Sequence, residues 1–150
     1  MFTLSMQEFK YVEMFKSFCR TEFYHLSNQL QMKEAILPKK KYENPYKISF
    51  KNKDCFIDFE SYSHGYRLNT SFGTASRLFS YSLFDGLWLL KGRDFAQQYV
   101  NNPLSGYHSN LKRDLKIISS HIEFFTDLKD EQKRLDLYKI QKEKLSPMLR

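Results

Sequence analysis

His64 follows Asp58 by six residues and Glu60 by four, in a stretch that also holds Tyr62 and Arg67. An imidazole with two nearby carboxylates is the raw material of general acid–base catalysis, provided geometry places a reacting proton between them. His64 also precedes Gly65, where a histidine suits a turn without any chemistry. The other histidines, His25, His108 and His121, are scattered. None stands at a ligand spacing from another histidine or from Cys19 or Cys55, so neither a metal nor a cofactor is expected. The chain has no GxxxxGK[ST] or GxGxxG phosphate cradle and no GxSxG elbow. These absences leave a nucleophile, a phosphate site or a zinc site without sequence support, and no catalytic residue is assigned.

The elements that must position His64 and its neighbours are strands. Tyr46, Ile48 and Phe50 alternate with Lys47, Ser49 and Lys51; Cys55, Ile57 and Phe59 alternate with Phe56, Asp58 and Glu60. After the turn at Ser63-His64-Gly65, Tyr66, Leu68 and Thr70 alternate with Arg67, Asn69 and Ser71. Period-two alternation with turn residues between predicts a three-stranded antiparallel meander over 46–72, one face buried and one polar. The polar face should carry Lys47, Asp58, Glu60, Arg67 and Asn69.

Helices flank this sheet. Ser5 with Glu8 forms a capping-box pattern. Phe9, Val12, Phe15, Cys19, Phe23, Leu26 and Leu30 then recur at spacings of three or four, predicting a helix over about 5–32 with Arg20 to Tyr24 as its weakest point. Pro38 ends it, and Lys39-Lys40-Lys41 with Asn44-Pro45 reads as a solvated loop. Ser82 with Asp85 caps a short apolar helix through Leu90, stopped at Lys91-Gly92. Further helices are predicted over 94–101, from Tyr107 to Phe125, and from Asp127 to Leu145 before Pro147. Leu128, Leu135, Tyr138 and Leu145 have loose heptad spacing, too few repeats for a coiled coil. The expected fold is α+β, a meander of three strands or slightly more packed against N-terminal and C-terminal amphipathic helices, as one domain over 1–150.

Composition fits a folded globule, with 14 Phe and 10 Tyr against 5 Gly and 4 Pro. The longest apolar run, Leu87 to Leu90, is far below the roughly 18 residues of a membrane helix, and no signal-peptide pattern opens the chain. A cytoplasmic protein is expected, with Cys19 and Cys55 as buried thiols. The net charge of +7 attracts nucleic acid, anionic membranes or acidic proteins and does not choose among them. Against nucleic acid stand the missing RNP1-type run, the lack of a helix-turn-helix, and strand aromatics in the pattern of inward-facing residues.

An amphipathic N-terminal helix, the meander YKISFKNKDCFIDFESYSHGYRLNTSFG and a helix opening YSLFDGLWLL follow one another over residues 5–90. This layout resembles small bacterial immunity proteins, the partners of contact-dependent growth-inhibition and other polymorphic toxins. The resemblance implies a non-enzymatic inhibitor that binds a cognate toxin domain and occludes its active site. Asp58, Glu60, Tyr62, His64 and Arg67 are then the expected contacts, and a chain of +7 suits an acidic or mixed-charge toxin surface. The alternative is a basic nucleic-acid-binding module.

Overall fold

The structure, a computed structural model, describes residues 5–36, 43–62 and 67–145. Helix α1 spans Met6–Gln29 without a break, its N-terminus capped by the Ser5 hydroxyl, which accepts the Glu8 N–H at 3.1 Å. The stripe buries Val12, Phe15, Cys19, Phe23 and Leu26, but Phe9 is 56% exposed. Phe9 lies about 60° round the axis from Val12, on the side away from Phe15, Cys19 and Leu26.

Beyond α1 the chain turns at Gln31, whose φ is +55°, and enters a five-stranded antiparallel sheet. Its strands are β1 (Lys33–Ala35), β2 (Lys47–Lys51), β3 (Cys55–Tyr62), β4 (Arg67–Thr74) and β5 (Ser80–Ser82), in that spatial order. The expected three-stranded meander is therefore the centre of a wider sheet. Each added edge strand has only three residues, KEA and SYS, too short and too polar to show period-two alternation. Short edges also limit unwanted pairing with other chains.

The inner face follows from the register. Glu34, Phe50, Ile57, Phe72 and Tyr81 form one row across all five strands, and Ile48, Phe59 and Thr70 form the next. Phe23 of α1 meets Phe50 and Phe59 at ring-centroid distances of 4.8 and 5.3 Å. Arg20 of α1 donates to both carboxylate oxygens of Glu34, at 2.6 and 3.1 Å, tying the short β1 to the helix. Both cysteines are buried free thiols in this core, and burial pushes Cys19 up to about 12.

Helix α2 (Leu83–Lys91) has the full reciprocal box, Ser82 and Asp85 each receiving the other's backbone N–H. Gly86 permits its close approach to the core, since a Cβ there would lie 2.7 Å from the Phe125 ring. Trp88 is only partly buried, under Arg93. Helix α3 spans Arg93–Asn101 and α4 spans Gly106–Ser120. The helix predicted from Tyr107 to Phe125 breaks at His121, where φ is −139°, and resumes as α5 (Ile122–Thr126). Leu111, Leu115, Ile118 and Phe125 are buried on both sides of the break, which explains why periodicity runs through it.

The final segment becomes α6 (Glu131–Leu145) after an irregular stretch at 127–130. It docks through Leu137 and Ile140, whereas Leu135, Tyr138 and Leu145 of the heptad pattern are half exposed. Among the described residues no helix is long and apolar enough to cross a membrane.

Candidate binding surfaces

The outer face of the sheet is where the sequence places the contact residues. Four rows cross it: Lys33, Lys51, Phe56, Gly73 and Ser80; Ala35, Ser49, Asp58, Ser71 and Ser82; Lys47, Glu60 and Asn69; and Tyr62 with Arg67. The turn between β4 and β5 folds over this face. Its Arg77 adopts φ +63°, an uncommon conformation for a non-glycine residue. The guanidinium donates to the two oxygens of Asp58 at 2.9 and 3.0 Å and to Ser49 Oγ at 2.6 Å. It also lies 3.9 Å over the Phe56 ring.

Asp58 is consequently 6% exposed, with both carboxylate oxygens engaged and Lys47 Nζ a further 4.0 Å away. It is corrected from an exposed contact to part of an internal ion pair. His64 lies outside the described residues. The other three expected contacts come together at one end of the face. Tyr62 donates to Glu60 from the same strand, and Arg67 stands directly opposite Tyr62. Tyr62 is 43% exposed, and its hydroxyl is pushed up to about 12 by partial burial and by Glu60.

At the other end Lys33 and Lys51 are directly opposed and exposed. Neither forms an ion pair among the described residues, and Asp54 in the adjoining turn reaches neither. Sequence reading missed Lys33 because β1 was unrecognised. It missed Arg77 because nothing local marks a side chain that returns 19 residues to Asp58.

A second surface lies on α1. Met6, Phe9 and Met14 are 90%, 56% and 50% exposed, and with Phe18, Tyr107 and His108 they line an open, largely apolar groove of about 960 Å³. Such a groove offers mainly dispersion contacts, with Lys10, Glu13 and His108 among its polar lining.

One charged cluster lies inside. Asp114 of α4 is fully buried, accepting from Tyr99 Oη at 2.6 Å and Thr70 Oγ1 at 3.0 Å, with Arg113 Nε 3.5 Å away. Desolvation outweighs these partners and raises its carboxyl to about 6. With its oxygens bonded to α3 and β4 side chains, it staples α4 to the sheet. Among the described residues no three His, Cys, Asp or Glu side chains group as a metal site. Comparison with known protein families, curated proteins and solved structures finds no match to this chain.

Proposed function

We propose that this protein acts by binding another protein, without catalysis, through the outer face of its sheet. Its partner is a toxin domain, the role that the immunity-protein layout implies, and binding occludes the toxin's active site. Glu60, Tyr62 and Arg67 form the contact cluster at one end of the face, while Asp58 is held by Arg77 nearer its centre.

The observation that carries this reading is the state of Phe56. The face presents charge, but Phe56 is 3% exposed and capped by the Arg77 guanidinium. Phe50, Phe59, Phe72 and Tyr81 are buried inside, and Tyr62, at the end of β3, is 43% exposed with its hydroxyl bonded to Glu60. Single-stranded nucleic acid is held by stacking bases on open aromatic rings within a basic groove. A charged face with its central ring sealed favours a protein surface over nucleic acid, the second reading.

The test is purification of tagged protein from its native cells after nuclease treatment, followed by separate reversals Glu60→Lys and Arg67→Glu. A stoichiometric protein that is toxic alone, and whose affinity falls with either reversal, supports the proposal. Nucleic acid bound in untreated samples and released by salt, with no protein remaining after nuclease, supports the basic-module reading instead.

A further inference from the structure

We infer that the Lys33–Lys51 end of the sheet face receives a carboxylate-bearing segment of the partner protein. This deepens the binding role proposed above and rests on it.

Directly opposed residues on an antiparallel pair stand within about 5.5 Å at Cβ, so like charges there repel. Lys33 and Lys51 occupy that relation in the β1–β2 register. Among the described residues no carboxylate relieves it. Their row continues with Phe56, Gly73 and Ser80, none of them charged. Asp58 in the next row is held on both oxygens by Arg77, and Glu34, between the two rows in sequence, points to the inner face and binds Arg20. The segments outside the described residues contain no Asp or Glu side chain at all. Among the described residues, the two lysines face solvent and neither forms an ion pair.

The β4–β5 turn covers Ser49, Phe56 and Gly73 in the middle of the face, so the two lysines stand at its open edge, on β1 and β2. The ring in the lysines' own row, Phe56, is sealed under Arg77, and the exposed ring of Tyr62 lies at the opposite end of the face, which argues that the anion here is a carboxylate on a protein rather than a phosphate on a stacked strand. A cluster of Asp or Glu on the partner would complete both lysines together, which adds charge steering to the encounter.

The experiment uses the full chain with an oligo-glutamate peptide as probe, a single-stranded oligonucleotide as competitor, and amide chemical shifts as readout. Saturable shifts confined to residues 33–35 and 49–53 are expected, with affinity falling about tenfold or more in Lys33→Ala/Lys51→Ala and unchanged in Lys116→Ala. Shifts spread equally over the lysines of α4 and α6 would overturn the inference. So would tighter binding of the oligonucleotide at the same residues. Co-purification decides independently whether a protein partner exists, so a peptide that fails here leaves a captured partner standing, and the two failures remain distinguishable.

Discussion

Arg77 and Asp58 form a two-point ion pair on the outer face of the sheet, with N–H···O distances of 2.9 and 3.0 Å. The pair joins the β4–β5 turn to the centre of β3 and closes Phe56 beneath the guanidinium. Arg77 holds a left-handed backbone to do this. Three things therefore depend on one side chain: the placement of the turn, the neutralisation of a carboxylate that is only 6% exposed, and the sealing of an aromatic ring.

Replacing Arg77 should cost more than an ordinary surface ion pair. Removing one partner of a buried pair costs about 3–5 kcal/mol, and the partial exposure of Arg77 lowers the expectation for Arg77→Met to about 2 kcal/mol. Arg77→Lys keeps the charge but loses the fork and should recover less than half of that. Urea denaturation of both variants and of Asp58→Asn checks this. A double mutant no better than the sum of its singles would show that the two residues are not coupled.

Gly73 is required for a different reason, close approach. A Cβ at this position would lie 2.4 Å from Phe56 Cε1 and 2.4 Å from the Phe79 carbonyl oxygen. Gly73→Ala should destabilise by about 2 kcal/mol, in the range of overpacked cores. Combining it with Phe56→Leu should restore only part of the loss, because the backbone oxygen remains. Full recovery in a thermal melt would mean that the ring alone sets the constraint.

The same residues show how much was legible beforehand. Alternation over 46–72 identified β2, β3 and β4 and their correct faces, because each is long enough to repeat its period. It placed Glu60 and Arg67 outward on the same reasoning. Asp58 was equally outward by periodicity, yet it is buried, since the residue that covers it lies in a turn whose conformation no propensity predicts. Lys33 escaped notice because three residues cannot display a period. The break at His121 was hidden because a single irregular residue leaves the apolar spacing on either side in step.

Asp114 predicts a pH dependence of stability. Its folded-state carboxyl titrates near 6, above the ordinary aspartate value of about 3.9, so between these values the folded state binds more protons than the unfolded one. The stability linked to this group is present below about pH 4 and is lost as pH rises towards about 6, a change on the order of 3 kcal/mol. Glu34, held low by its hydrogen bond to Arg20, acts in the opposite sense, losing its contribution as pH falls. Subtracting the stability profile of Asp114→Asn isolates the first term. A difference curve that is flat between pH 4 and 7 would sink this assignment.

The opposed lysines make the last prediction, and it separates function from fold. A residue retained only for stability should not improve the protein when it is reversed. Lys51→Glu places a carboxylate across from Lys33 and exchanges repulsion for attraction, so stability should rise by a few tenths of a kcal/mol, about 1 °C in Tm. The same change should weaken capture of an acidic partner, because it removes one of the two cations that the partner would meet. Calorimetry and partner affinity measured on one variant should therefore move in opposite directions. If Lys51→Glu lowers Tm, the repulsion inferred from the register is already relieved within the protein, and the argument for an acidic partner at this end of the sheet loses its basis.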